Sequence, residues 1–261
     1  MALIDTMTLR FASLPASLAG LRLLHVGDLH ARGPRPRFDR LVEEIDAAEF
    51  DLLCLLGDYM DVIGDEPIAH ELVRRIVAAA RPRIGSLGVF GNHDSPEMRR
   101  RLELLPVRWL ANEGAMLAGD PVFVAGLDCV RGEARGDLVT ATAELPPPDE
   151  PCLRLLLTHL PTWLAPASSF GFDLMLAGHT HGGQCRTPWG QVLINAIDWP
   201  LRFAAGVFQY RRTAAVVSRG LGETRCQGLR FFCPPQAVMI TLQPSNAPAR
   251  STRKLTRRVK W

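Results

Sequence analysis

Five of the seven histidines in this 261-residue chain sit in short segments that also carry Asp or Asn, or that end an apolar run. The segments are Asp28-Leu29-His30, Gly57-Asp58-Tyr59-Met60-Asp61, Gly91-Asn92-His93-Asp94, Thr158-His159 and Gly178-His179-Thr180-His181-Gly182-Gly183. Carboxylate, amide and imidazole donors gathered without thiolates suit a pair of divalent cations. Two such ions held ~3.5–4 Å apart activate water for in-line attack at phosphorus. The residue types alone therefore point to hydrolysis of a phosphoric ester.

Asp58 is the expected bridging carboxylate, giving one oxygen to each ion. Asp28, His30 and His181 complete the protein ligands of the first ion. Asn92 (through its amide oxygen), His159 and His179 complete those of the second. Two carboxylates cannot neutralise two divalent ions, so the pocket attracts phosphate and stays positive once a bound water becomes hydroxide. A hydroxide bridging the ions is the expected nucleophile. His93 has no ligand slot and is left as the general acid, with Asp94 or a nearby group orienting its ring. Asp61, three residues after Asp58, is expected to support a ligand rather than be one.

Each motif has a plainer reading. Asp-x-His recurs by chance, Gly-Asp after a strand is commonly a turn, and Asn92-His93-Asp94 could cap a helix starting near Pro96. Gly178-His179-x-His181 is harder to explain by core packing, and the five segments together outweigh the plain readings. Other residues take structural roles. His25 is expected to be a satisfied core histidine, His70 exposed, and Cys185 structural despite its closeness to His181. Arg99, Arg100 and Arg101 read as a solvated helix face. Arg32, Arg35 and Arg37 are expected to be solvated in a Pro-broken loop, with contact to an anionic substrate as the alternative. Trp163, Leu164, Phe170 and Phe172 are expected to pack a short helix after Pro161 on the core rather than to form an acyl-chain surface.

Elements must bring these segments together. Leu21 to Val26, Asp51 to Leu56 and Ile84 to Phe90 read as buried strands, separated by helical spacing over Phe38 to Phe50 and Glu66 to Ala80. This βαβαβ rhythm predicts a largely parallel sheet with right-handed crossovers. Pro121 to Leu127, Leu153 to Thr158, Leu174 to Ala177, Val192 to Ile194, Ala214 to Ser218 and Ala237 to Leu242 predict a second, mixed sheet. Each metal-type segment follows a strand beside a glycine, and ligands of open α/β sheets bind at the carboxyl ends of strands.

With 47% hydrophobic residues the chain can bury one large core. One domain is expected over 1–244, with 245–261 a basic, disordered tail. Arg131 to Glu150, with three consecutive prolines, reads as an exposed connection. Six basic and no acidic residues lie from Arg250 onward, so the formal +3 falls to −3 once they are set aside. A mildly acidic body with two tyrosines lacks the basic, aromatic groove of a nuclease, and no nucleic-acid partner is expected. Six cysteines without a Cys-x-x-Cys pair suit a reducing compartment. The first residues do not read as a signal peptide, and no apolar run approaches the ~20 residues that span a bilayer. A cytoplasmic protein is expected, peripheral on the inner membrane face if the tail reaches it.

The ordered set Asp28-x-His30, Gly57-Asp58-x-x-Asp61, Gly91-Asn92-His93-Asp94, His159 and Gly178-His179-x-His181 resembles the signature blocks of the calcineurin-like metallophosphoesterase superfamily. Ala111-Asn112-Glu113-Gly114, Ser218-Arg219-Gly220-Leu221-Gly222 and Phe232-Cys233-Pro234-Pro235 are similar to a bacterial subgroup. That subgroup contains phosphodiesterases of the YaeI and YkuE type and UDP-2,3-diacylglucosamine pyrophosphatases. The resemblance implies an α/β fold, a four-layer α/β/β/α sandwich with two mixed sheets. It also implies the ligand and acid roles above, two divalent ions (Mn²⁺ first, Fe, Zn²⁺ or Mg²⁺ also compatible) and a phosphodiester or pyrophosphate substrate. A lipid-precursor pyrophosphatase touching anionic membrane through the tail is one alternative; a non-catalytic scaffold is another, disfavoured because no ligand is missing. Gly222-Glu223-Thr224-Arg225 departs from the subgroup by placing charge in a usually apolar turn.

Overall fold

The apolar runs of the first half become the middle of a sheet. A computed structural model describes residues 2–129, 136–193, 200–224 and 228–245, with the backbone of 250–251 and 257–258. In chain order the first half holds β1 (Ile4–Phe11), β2 (Arg22–Val26), α1 (Pro36–Asp46), β3 (Leu52–Leu56), α2 (Glu66–Ala79), β4 (Gly85–Val89), α3 (Pro96–Leu102) and β5 (Arg108–Trp109). There follow β6 (Glu113–Met116), β7 (Val122–Gly126), α4 (Leu138–Ala141), β8 (Leu153–Leu157), α5 (Leu164–Ser169) and β9 (Leu174–Ala177). The last strands are β10 (Gly206–Tyr210), β11 (Thr213–Val217), β12 (Ala237–Pro244), β13 (Arg250–Ser251) and β14 (Arg257–Arg258).

Two mixed sheets form, ordered β13-β1-β12-β2-β3-β4-β5 and β14-β10-β11-β9-β8-β7-β6. They stack face to face between helices, giving the four layers. Strand alternation makes this possible. On β3, Leu52, Cys54 and Leu56 face the core between the sheets, while Leu53 and Leu55 pack beneath α1 and α2. On β9, Leu174 and Leu176 face that same inter-sheet core, and Met175 and Ala177 lie under α5 with Leu164 and Ala167. Trp163 and Phe170 pack against this outer cluster, where Leu164 and Phe172 are fully buried. These four residues thus form a core contact.

Several sequence expectations need correction. Ala237 to Leu242 does not join the second sheet. As β12 it inserts into the first, parallel to β1 and antiparallel to β2. No strand was expected over Ile4–Phe11, although Met7, Leu9 and Phe11 are buried and alternate with more exposed Thr6, Thr8 and Arg10. Val192 forms only an isolated bridge to Arg186, and Ile194 lies outside the described residues. Within the stretch expected as a tail, Arg250–Ser251 pairs with β1 and Arg257–Arg258 with β10. Ser245 donates its N–H to Phe11 O, and the rest of that tail lies outside the described residues, as do Cys226, Arg225 and 131–135 of the proline-rich connection. Among the described residues no helix is long and apolar enough to cross a membrane.

Candidate metal centre

All five motif segments leave the carboxyl ends of parallel strands, β2, β3 and β4 of one sheet and β8 and β9 of the other. Stacked sheets bring both rims to one place. Backbone bonds lock the turns together: Asp28 N–H donates to Gly57 O (2.9 Å), His30 N–H to Asp58 O (3.0 Å) and Gly178 N–H to His159 O (3.1 Å). Asp28, His30, Asp58, His179 and His181 all adopt positive φ, between 40° and 71°. Non-glycine residues enter this region at a cost of ~1–3 kcal/mol each and do so chiefly at functional sites. Gly91 is required by close approach, since a Cβ there would collide with Asp58 Oδ1 and its backbone nitrogen.

The side chains meet as two overlapping sets. Ligand-type atoms of Asp28, His30, Asp58 and His181 lie within 4.8 Å of one another, as do those of Asp58, His159 and His179. Asp58 belongs to both. Its Oδ2 is 3.4 Å from His30 Nε2 and 3.1 Å from His159 Nε2. His30 Nε2 also faces His181 Nε2 at 3.1 Å, and His159 Nε2 faces His179 Nδ1 at 3.0 Å. Imidazole nitrogens turned on each other across these gaps converge on common points, as ligands of one ion do. Asn92 Oδ1 is buried with no hydrogen-bond partner. Burying such atoms unpaired is costly, so an absent partner is indicated. The residues fit a pair of cations.

Protonation shows the same demand. Burial lowers the pKa of His30, but hydrogen bonds to Asp58 and Asp61 carry it up to about 10. His159 is likewise opposed by burial and carried to about 9 by Asp58. Burial, with His159 close by, drives His179 down to about 3. Burial and the His30 charge also push His181 well below its ordinary range. Burial raises Asp28, whereas His159 and His30 overcome burial and hold Asp58 well below the carboxylate range. The upward shifts of His30 and His159 mark where the buried carboxylates draw positive charge, the charge that bound cations would supply in their place.

The supporting contacts are specific. Asp61 Oδ1 accepts from His30 Nδ1 at 3.1 Å and Leu56 O accepts from His159 Nδ1 at 2.8 Å, leaving each Nε2 to the cradle. His93 Nδ1 donates to Asp61 O at 2.6 Å, and its ring stands edge-on to His30 with centroids 4.8 Å apart. The expectation for Asp94 needs correcting. Its carboxylate accepts the backbone N–H groups of Asp58 (2.9 Å), Tyr59 (2.8 Å) and Gly91 (2.7 Å), so it braces two loops and does not orient His93. The helix after this loop is capped by Ser95, whose hydroxyl accepts from Met98 N–H, and not by Asn92 or Asp94.

In comparison with known proteins, the sequence pattern of the Calcineurin-like phosphoesterase family matches residues 21–183. The chain belongs to this family. Its members are phosphoric ester hydrolases that use divalent metals, and the cradle is of the kind such metals occupy. The chain is 28% identical over 255 residues to phosphodiesterase YaeI of Escherichia coli, covering 89% of this chain and 86% of that protein. It is 25% identical to the metallophosphoesterase YkuE of Bacillus subtilis, with 92% and 85% covered. Among solved structures, the NAD nucleotidase NadN of Haemophilus influenzae superposes with a TM-score of 0.52 at 14% identity. That match covers 90% of this chain and about half, 49%, of NadN, and it concerns the fold.

Several lesser expectations change. His25 is buried but not satisfied: neither ring nitrogen has a partner, and burial lowers its pKa to about 3. His70 is half-buried. Arg100 and Arg101 pair with Glu97 on their own helix, but Arg99 reaches Asp128 at 2.7 Å and the carbonyl of Cys129. Arg32, Arg35 and Arg37 all turn to Glu223, with Arg32 and Arg37 half-buried and Arg35 still exposed to solvent. Arg230 was missed altogether. It is anchored on the carbonyls of Arg219 and Gly222 and lies 3.5 Å from His181 Nδ1. Its only sequence signal is a lone cation inside Leu229-Arg230-Phe231-Phe232. The Cys185 thiol makes a long contact to Leu229 O, at 3.9 Å, while its backbone bridges to Phe231.

Proposed function

We propose that this protein is a two-metal phosphodiesterase acting on a small phosphodiester or pyrophosphate. The observation that carries the reading is the pair of ligand sets sharing Asp58. Asp28, His30, Asp58 and His181 would hold one ion, and Asp58, Asn92, His159 and His179 the other. When bound, such ions supply an activated water as nucleophile and a positive field for the phosphoryl oxygens. The ions are proposed to be Mn²⁺, with Fe, Zn²⁺ or Mg²⁺ as alternatives, since oxygen and nitrogen donors do not choose among these metals and their supply in the cell does. His93, its Nδ1 committed to Asp61 O, keeps Nε2 for proton delivery to the leaving alkoxide. The name of YaeI supports the diester class. The five described cysteines are unpaired, which suits a cytoplasmic enzyme. No nucleic-acid partner is proposed.

The test is metal analysis of purified protein alongside hydrolysis of diesters, monoesters and nucleotide-sugar lipids. Wild type should carry about two ions and cleave diesters, and Asp58→Ala should lose both metal and turnover. Metal-loaded protein that cleaves only monoesters would refute the diester assignment.

A second reading, a UDP-2,3-diacylglucosamine-type pyrophosphatase at the membrane, is favoured by one feature. The strip following His181 is apolar and exposed. Phe231 (61% exposed) and Phe232 (53%) stack edge-on beside Leu229, and Phe231 bridges to Cys185, whose carbonyl accepts from Leu193 N–H. A patch beside a catalytic rim suits an acyl chain or lipid surface. Liposome sedimentation of wild type, Phe231→Ser and a chain lacking 245–261 checks it. Equal pelleting of all three would remove the support.

A further inference from the structure

The turn after β11 and the loop after β2 meet in a cluster of unusual charge. Glu223 is buried, and both its carboxylate oxygens accept from Arg37. Arg35 Nη1 lies 3.5 Å from the same carboxylate and Arg230 Nε 3.9 Å away. Arg32 Nη2 donates to the Glu223 carbonyl at 3.2 Å, while its Nη1 stands 3.7 Å from Asp61 Oδ2. Three guanidiniums thus surround one carboxylate, and a fourth, Arg32, holds the backbone carbonyl of the same residue. Arg37 alone would latch the turn to the loop, and a latch gains nothing from three further like charges that repel one another.

Donors are left over. Arg37 Nε is buried without a hydrogen-bond partner, and Arg35 is half-exposed, its side chain 44% accessible. The cluster also adjoins the metal cradle on two sides. Asp61, beside Arg32, holds His30 Nδ1 and accepts from His93, and Arg230 approaches His181. Gly222 N–H, one residue before Glu223, donates to Asp28 O at 2.6 Å. Guanidiniums in excess beside a phosphoryl site are what a second anionic group requires, because planar paired donors match phosphate oxygens.

We propose that Arg32, Arg35 and Arg37, set by Glu223, form a subsite for a second phosphoryl group of the substrate. This rests on the phosphoesterase reading above and narrows its substrate to molecules carrying two phosphoryl groups. Glu223 spaces the guanidiniums and occupies part of their charge until substrate arrives.

The experiment measures binding to Mn²⁺-loaded full-length protein by calorimetry, with AMP, ADP and adenosine 3′,5′-bisphosphate as probes. ADP presents the second phosphate adjacent to the first, and the bisphosphate presents it across the ribose. Wild type should bind at least one two-phosphate probe about ten-fold or more tighter than AMP. Arg35→Gln should cut that ratio by about five-fold or more, whereas Arg100→Gln on the exposed face of α3 makes the same charge change and should not. Melting curves verify that each variant is folded. A ratio near one for both probes in wild type, or an equal fall in both variants, overturns the subsite. Hydrolysis of bis(p-nitrophenyl) phosphate by the same samples reports the phosphodiesterase reading separately, since that ester has one phosphoryl group. Hydrolysis retained with no discrimination sinks only the subsite.

Discussion

His93 and Asp94 are adjacent yet do unrelated work, and their hydrogen bonds separate them. His93 gives Nδ1 to a carbonyl, and it meets the cradle through its backbone N–H to Asp58 Oδ1 and an edge-on contact with His30, its side chain being in neither of the two sets that share Asp58. His93→Ala should therefore keep its metal while slowing alkyl diesters by about 10²–10⁴, the usual span for a lost general acid. Diesters with p-nitrophenolate leaving groups should suffer far less, so rates against leaving-group pKa give the check. Asp94 instead accepts three backbone N–H groups from two loops. Asp94→Ala would strand all three inside the protein, and buried unsatisfied donors cost ~1–3 kcal/mol each. Denaturant unfolding should show a loss of about 3 kcal/mol or more, accompanied by reduced metal content. The six residues that the two sets gather, Asp28, His30, Asp58, His159, His179 and His181, were legible from residue type and order. Asp94's bracing role was not, because a carboxylate's preference for backbone donors leaves no mark on its neighbours in sequence.

Turns set the next scale. At Gly91 and Gly178 the backbone runs against a ligand carboxylate, with a virtual Cβ at Gly178 only 2.6 Å from Asp28 Oδ2. Gly91→Ala should displace Asp58 and reduce bound metal to less than half, read by elemental analysis on folded protein. The turn holding Glu223 carries a pH signature. Burial raises the carboxyl pKa, but Arg37 and its neighbours pull it below the ordinary 4.5. A depressed folded pKa means that the stabilisation is complete above pH 4.5 and fades as pH falls further. The melting-temperature gap between wild type and Glu223→Gln should accordingly be present at pH 7 and narrow below pH 4.5. β3 could be read from the sequence because it is an unbroken apolar run ended by Gly57, and β2 and β4 because their short, mainly apolar segments lead into Gly27 and Gly91. β1 could not, since its alternation is short and interrupted by polar threonines. The Glu223–Arg37 contact spans 186 residues, beyond the reach of any local pattern.

Across the whole molecule, two sheets come together at one rim and cations close the gap between them. Each sheet donates buried carboxylates or imidazoles that repel or stand unpaired without an ion. Chelation should lower the melting temperature by about 5–10 °C, as expected for a ligand at 100-fold its Kd on a chain of this size. Re-addition of Mn²⁺ should restore it; an unchanged melt would mean the cradle is stable without ions. The sandwich was recognisable from the family's motif order, but the sheet to which the last long strand belongs was not. β12 lies between β1 and β2, contributed from residue 237 onward, so the N-terminal strand has no long neighbour until then. On the ribosome, the first sheet must wait until residues 237–244 have emerged before it can seal. A nascent chain halted at residue 183, although it holds all seven proposed ligands, would expose the edge of β2 and be a ready substrate for chaperones or proteases.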